Sequence, residues 1–134
     1  MSMFSIFSVS GSAISAQAQR LNVVASNLAN VDAVAGPDGK AYKARQVVFQ
    51  TTLMGSEASA GVRVNGITES ELPGQKILDP SNPAADPQGY VTHSNVNSVE
   101  EMVNMISASR SYQNNVEVMN TAKSLLLKTL QMGQ

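Results

Sequence analysis

The C-terminal part of the chain carries a repeat of large side chains that only a long helix can bring to one face. From residue 98 onward, apolar positions alternate at spacings of three and four residues, the pattern of a heptad seam. Ser98 followed by Glu101 predicts a capping box at the start of this helix. The seam positions are Met102, Met105, Ser109, Tyr112, Val116, Met119, Lys123, Leu126 and Leu130.

The length of this helix limits what it can pack against. A helix over residues 98–134 would extend about 50 Å at about 1.5 Å per residue. That is too long for an ordinary core helix in a chain of 134 residues. We therefore expect it to pack on an N-terminal helix, on neighbouring chains, or on both.

A second heptad pattern lies before Asp32, in a segment whose only charged side chain is Arg20. Large residues recur at every seventh position, with mostly small residues three positions earlier, which predicts a helix from about residue 12 to residue 31. The other face carries amides and hydroxyls instead of the Lys and Glu of a solvated helix face, which favours contact with protein on several sides. The large residues are Phe7, Ile14, Leu21 and Leu28, and the polar face is Ser15, Gln19, Asn22, Ser26 and Asn30.

The middle of the chain has no helical period and contains all five prolines. Residues 42–51, 62–68 and 75–78 are predicted as short strands of a hairpin or a three-stranded ribbon. The predicted fold is therefore mainly α, with long terminal helices in a coiled-coil-like pair and a small β-hairpin or irregular middle segment. We expect three parts: residues 1–32 and residues 98–134 as helices that pack together, and residues 33–97 between them.

The residue content offers little for catalysis or metal binding. There is no cysteine and one histidine, His93, which we expect on a surface loop, and Asp79 and Asp86 are expected to serve turns. A net charge of −1 excludes a basic nucleic-acid footprint or a polybasic membrane patch. We predict no enzyme activity, no cofactor and no metal site. The N-terminus lacks the pattern of a cleaved signal peptide, and no apolar run is long enough to span a membrane.

Several short motifs resemble the flagellar rod and hook family of axial proteins, most closely its proximal-rod members. The motifs are Asn-Leu-Ala-Asn-Val at residues 27–31, the pair Tyr42-Lys43, Gly-Tyr-Val at residues 89–91, and residues 94–103, 108–117 and 125–130. They cover both termini and roughly half of the chain. The segment between Asn30 and Tyr42 is longer than in many family members, which favours the proximal subtype.

The resemblance implies a structural subunit of the proximal rod, the drive shaft that carries motor torque across the periplasm to the distal rod and hook. It implies export without a cleaved signal peptide through the flagellar type III secretion system. The implied partners are copies of itself, other proximal and distal rod subunits, the rod–MS-ring adaptor protein and the export apparatus, with no nucleic acid and no membrane embedding. A coiled-coil adaptor or secretion-associated binding protein in a discrete complex is the alternative.

Packing arguments predict how such a subunit would assemble. A seam that points partly outward makes heterologous contacts, and repeated heterologous contacts build helical assemblies. In the free chain the terminal segments have little to pack against, so we predict that they are largely disordered until docked. The predicted packing and assembly residues are Phe7, Ile14, Leu21, Asn27, Leu28, Asn30, Met102, Met105, Tyr112, Val116, Met119, Leu126 and Leu130.

Overall fold

The structure, a computed structural model, describes residues 3–55 and 59–133. Along the described part of the chain, a long helix comes before four strands and a second long helix follows them, so the fold is mainly α with a small β-containing middle, as the sequence predicts. Coiled-coil pairing of the helices and the division into three sequential parts stay predictions. The elements are α1 (Met3–Ala29), β1 (Arg45–Leu53), β2 (Ala60–Glu69), β3 (Lys76–Leu78), β4 (Tyr90–Thr92) and α2 (Ser98–Met132).

Helix α1 begins at Met3, well before the predicted start near residue 12, and ends at Ala29. The serines and the glycine of residues 3–12 are weak helix formers, so the predicted helix began only near residue 12. The large side chains among them share one helical period with the rest of α1, and packing of such a face outweighs propensity. At the other end, the Asn30 side chain donates to the Ser26 carbonyl oxygen at 2.8 Å and covers one of the last free carbonyls.

The N-terminus of α2 is capped differently from the prediction. The Asn97 side-chain oxygen accepts hydrogen bonds from the backbone N–H groups of Val99, at 3.1 Å, and Glu100, at 3.2 Å. Asn97 is therefore the N-cap, and the capping box of Ser98 with Glu101 was wrong. Glu101 is buried and turns its carboxylate towards α1 instead of back to the start of its own helix.

Replacing Asn97 with alanine is expected to lower the free energy of unfolding by about 1 kcal/mol, because two backbone N–H groups lose their acceptor. Ser98→Ala is the matched control, since the Ser98 side chain is not the cap, and it should change stability by no more than about 0.5 kcal/mol. Urea unfolding followed by circular dichroism measures both. An equal loss for the two variants would contradict Asn97 as the N-cap.

The strands form two separate two-stranded sheets. Strands β1 and β2 form a hairpin, and bonds from the Ser70 N–H to the Ala44 oxygen and from the Met54 N–H to the Ser59 oxygen show that it is antiparallel. The three-stranded ribbon was wrong, because β3 pairs with β4. Strand β4 has only three residues, which is too few to show an alternation of apolar and polar side chains in the sequence. The register of this second sheet is Lys76 with Thr92, Ile77 with Val91, and Leu78 with Tyr90.

The proline-containing connection between β3 and β4 is a series of side-chain-closed turns. The Asp79 carboxylate accepts from the Ser81 hydroxyl, and the Asp86 carboxylate accepts from the backbone N–H groups of Gln88 and Tyr90. Gly89 is buried with a φ of +89°, a left-handed conformation that favours glycine. The predicted turn roles of Asp79 and Asp86 are thus confirmed.

The contacts divide the chain into two compact units. Unit 1 contains Met1–Leu21, Val47–Gly66 and Ile106–Gln134, and unit 2 contains Asn22–Gln46 and Ile67–Met105. Each unit therefore combines part of α1, part of the β-containing middle and part of α2. Within the described ranges, neither helix combines the length and the hydropathy that a membrane span requires.

Candidate functional site

The predicted seam of α1 lies at half-buried positions. Phe7, Ile14, Leu21 and Leu28 are each partly covered, and a Cβ atom added at Gly11 would lie 3.7 Å from Met119 Cε of α2. The missing side chain at Gly11 thus leaves room for Met119. On the opposite face, three of the five predicted polar positions, Ser15, Gln19 and Asn22, are exposed.

The predicted seam of α2 divides into a covered and an uncovered part. Five of its apolar members are half-buried, whereas Met102 is 55% and Leu130 is 59% exposed. The half-buried members are Met105, Tyr112, Val116, Met119 and Leu126. Burial alone does not test an assembly role, so these residues stay predicted assembly positions.

The most buried row of α2 lies beside the predicted seam. Glu101, Ala108 and Ala122 are buried, with Ala108 at 0% exposure, and they occur at multiples of seven residues along the helix. Ala108 and Ala122 have small side chains, so other parts of the chain can lie close to the helix backbone at these two positions. The sequence reasoning missed this row because it searched for large apolar side chains.

A buried polar cluster around Asn27 joins three elements of unit 2. The Asn27 carboxamide is 0% exposed and makes all four of its hydrogen bonds. Its nitrogen donates to the Arg45 carbonyl oxygen at 2.8 Å and to Glu101 Oε2 at 3.0 Å. Its oxygen accepts from the Tyr42 hydroxyl at 2.8 Å and from the Arg45 backbone N–H at 3.0 Å. One side chain therefore holds the end of α1, the start of β1 and the start of α2 together.

The neighbours of Asn27 are held in place by further contacts. The Tyr42 hydroxyl lies 3.1 Å from the Ser26 hydroxyl, and the Arg45 guanidinium lies 5.5 Å from the centre of the Tyr42 ring. Arg45 also forms an ion pair with Glu69 at 3.3 Å. These contacts hold the Tyr42 ring and Arg45, the first residue of β1, in place. The Tyr42 hydroxyl and the Arg45 backbone therefore stay within hydrogen-bonding distance of Asn27.

A second polar junction in unit 2 is built on Ser94 and Asn95. The Ser94 hydroxyl donates to the Val31 carbonyl oxygen at 2.7 Å, just after the end of α1. The Asn95 side chain accepts from the Ala44 backbone N–H at 2.6 Å and donates to the Leu72 carbonyl oxygen at 2.9 Å. The motifs that carry the family resemblance contain Asn27, Tyr42, Ser94, Asn95 and Glu101, which is the signal that could have revealed both clusters.

Large apolar side chains remain exposed along α2. In unit 2, Val99 and Val103 are 68% and 61% exposed beside Met102. In unit 1, Ile6 of α1 and Val118 and Leu125 of α2 line an open groove of about 470 Å³. Exposed apolar surface of this kind is typical of a protein that makes contacts with other chains.

The residue types that often act in catalysis or metal binding have structural surroundings in this chain. The His93 backbone N–H donates to the Gln75 carbonyl oxygen at 2.7 Å, and His93 forms an isolated bridge with Val34, so it is half-buried instead of on a free surface loop. Among residues 3–55 and 59–133, no three His, Asp or Glu side chains lie close enough together to hold a metal ion. What the arrangement offers is packing surface along two helices.

Two family models match the two terminal segments of the chain. Residues 7–37, most of α1 and the following loop, match the family model described as flagella basal body rod protein. Residues 88–132, from the turn before β4 to the end of α2, match the family model described as flagellar basal body rod FlgEFG protein C-terminal. The two matched segments supply Asn27 and Glu101, the pair that joins α1 to α2 in unit 2.

Three relatives that match over their whole length carry the same description. The chain is 57% identical to the flagellar basal-body rod protein FlgC of Yersinia enterocolitica, 56% identical to that of Escherichia coli O6:H1 and 54% identical to that of Salmonella typhimurium. In each case the comparison covers 100% of this chain and 100% of the relative.

Proposed function

The chain belongs to the FlgC family of flagellar basal-body rod proteins, and from this premise we propose that it is a structural subunit of the proximal rod of the bacterial flagellum. The observation that carries the proposal is identity of 54% to 57% over the full length of FlgC proteins, with no part of either chain left over. Its function is to assemble with other rod components, including copies of itself, and it is not an enzyme.

The subunit polymerises through its terminal helices. Met102 and Leu130 support this step, because they continue the α2 seam yet are more than half exposed in the single chain. The exposed stripe of α1 supports it too, since Ser15, Gln19 and Asn22 carry no charge that would have to be desolvated. Because α1 and α2 present different surfaces, the contacts between subunits are heterologous and build a continuous helical structure.

Torque transmission follows from close packing in that structure. Interdigitated side chains resist sliding, because moving a helix by one turn would place Ser or Asn where a Leu or Met side chain is accommodated. The rod then passes motor torque across the periplasm to the distal rod and hook. The rod–MS-ring adaptor protein is the proposed partner at the opposite end.

Export precedes assembly. We take the subunit to pass through the flagellar type III export apparatus without a cleaved signal peptide. Terminal segments that are largely disordered before docking can be threaded through a narrow channel, and they gain order when neighbours cover their apolar positions.

Replacing Met102 or Leu130 with aspartate tests the assembly role. Both side chains are exposed in the single chain, so Met102→Asp and Leu130→Asp should leave the circular dichroism of the purified subunit unchanged. In cells, we expect secretion to persist while rod assembly and swimming are lost, because a charge would have to be buried without a partner between subunits. Motility on soft agar, together with detection of secreted subunit in the medium, measures this.

Ser107→Asp is the matched control, since Ser107 is exposed on the same helix but outside the seam. This variant is expected to swim. Wild-type swimming of both seam variants would contradict the proposed assembly surface. Equal loss in the control would show that the seam has no special role.

A further inference from the structure

The buried positions of unit 1 and unit 2 differ in kind. Among the described residues of unit 1, the buried side chains are all small, namely Ser10, Ala16, Ser59, Ala108 and Ala122. Alanine and serine remove little apolar surface from water, so their burial contributes little to the stability of unit 1. In unit 2 the buried set includes the larger Val24 and Val91 together with Asn27 and Glu101.

The buried polar groups of the two units also differ. Three buried side-chain oxygens have no hydrogen-bond partner among the described residues, those of Gln17, Thr52 and Ser59, and all three belong to unit 1. In the described part of unit 2 no buried side-chain polar atom is left in that state. Buried polar atoms without partners destabilise a fold, whereas a fully paired buried network specifies one.

Side-chain hydrogen bonds between segments far apart in the chain hold unit 2 together. Asn27 alone connects α1, β1 and α2, and Asn95 connects the segments around Ala44 and Leu72. Among the described residues of unit 1, the Ser12 hydroxyl oxygen accepts from the Val62 backbone N–H at 3.1 Å, a bond between α1 and the hairpin. Unit 2 thus has its own internal support.

We propose that unit 2 is folded in the free subunit, that unit 1 takes its order from neighbouring subunits, and that the Asn27 carboxamide fastens the inner ends of both helices to unit 2. The terminal helices are then not disordered throughout before assembly. Residues 22–29 of α1 and residues 98–105 of α2 are already helical, and each helix grows outward from these ends on docking. This proposal extends the proposed function. It rests on that function in one respect, namely that the chains covering unit 1 are neighbouring rod subunits.

Hydrogen–deuterium exchange of the full-length monomer tests the proposal. We expect amide protons of residues 22–29 and 98–105 to exchange at least about 100-fold more slowly than an unfolded chain. Amide protons of residues 3–21 and 106–133 should exchange within about tenfold of the unfolded rate. Equal protection along the whole of both helices, or equal lack of it, would overturn the proposal.

Asn27→Asp tests the fastening role with a side chain of nearly the same shape. Aspartate cannot donate, and it places a second carboxylate where Glu101 Oε2 lies 3.0 Å from the Asn27 nitrogen. Protection of residues 22–29 and 98–105 should fall at least about tenfold, while residues 76–78 and 90–92, whose bonds do not involve Asn27, keep theirs. Loss of protection in all four segments would contradict a local fastening.

Asn22→Asp is the control, because Asn22 undergoes the same chemical change on the same helix but is exposed. Its exchange pattern should match that of the unmodified chain. Exchange as fast in Asn22→Asp as in Asn27→Asp would mean that any added charge has the effect. The exchange experiment and the swimming experiment test different claims. Normal swimming of Met102→Asp would contradict the proposed assembly surface, whereas the exchange pattern of the monomer tests only the folding of the two units.

Discussion

Replacing Gly74 with alanine is expected to lower the free energy of unfolding by about 3 kcal/mol, because the new Cβ atom would overlap the His93 carbonyl oxygen. Thr92 Cγ2, at 3.1 Å from the same position, leaves no room on the other side. The clash involves backbone, and that backbone is fixed: the His93 N–H donates to the Gln75 oxygen at 2.7 Å, and His93 bridges Val34. Urea unfolding followed by circular dichroism measures the loss.

Gly36→Ala is the steric control within unit 2. Gly36 is exposed, and the nearest atom to an added Cβ is Asp38 Oδ1 at 3.3 Å, on a side chain that can turn away. A change of no more than about 0.5 kcal/mol is expected for this variant. If Gly74→Ala were as stable as Gly36→Ala, the close approach of residue 74 to the His93 backbone would not exist in solution.

Replacing Asn27 with alanine is expected to have the largest effect of any single side-chain truncation in unit 2. It leaves the Arg45 N–H, the Arg45 carbonyl oxygen and the Glu101 carboxylate without the partner that each has at 2.8–3.0 Å. A buried group left unpaired costs about 1–3 kcal/mol, so the total loss should be about 3–5 kcal/mol. The Tyr42 hydroxyl keeps the Ser26 hydroxyl at 3.1 Å, and the Glu101 carboxylate keeps the Asn104 side-chain nitrogen at 3.4 Å, so both lose less than the Arg45 backbone groups.

Asn22→Ala is the comparison for this truncation. Asn22 is exposed on the same helix, and alanine is the better helix former, so stability should be unchanged or higher by about 0.5 kcal/mol. Urea titration of both variants, with the midpoint and slope compared, gives the two differences. A loss below about 1 kcal/mol for Asn27→Ala would show that water replaces the carboxamide and that the cluster is not dry.

The terminal helices could be predicted because their signals are local. The spacing of Leu21 and Leu28, and of Met105, Tyr112 and Met119, follows from the period of a helix whatever surrounds it. The prediction failed where propensity and packing disagree. Residues 3–11 are helical although serine and glycine are weak helix formers, because they share the apolar period of the rest of α1.

The polar clusters could not be predicted from spacing, because their members are far apart in the chain. Asn27 and Glu101 are separated by 74 residues, and Asn95 bonds to a backbone group 51 residues away. Ser98 with Glu101 was the better local match for a cap, yet Asn97 caps α2 and Glu101 bonds to Asn27. Which of two local options a side chain takes depends on what the rest of the fold brings to it.

The sequence by itself determined the two long helices, the hairpin between them and the membership of a rod-protein family, because helical period, strand composition and short motifs are properties of neighbouring residues. Only the tertiary structure decided which row of α2 is buried, that β3 pairs with β4, and that one asparagine holds three elements together. Those outcomes depend on contacts between residues far apart in the chain, and such contacts form only when the chain folds.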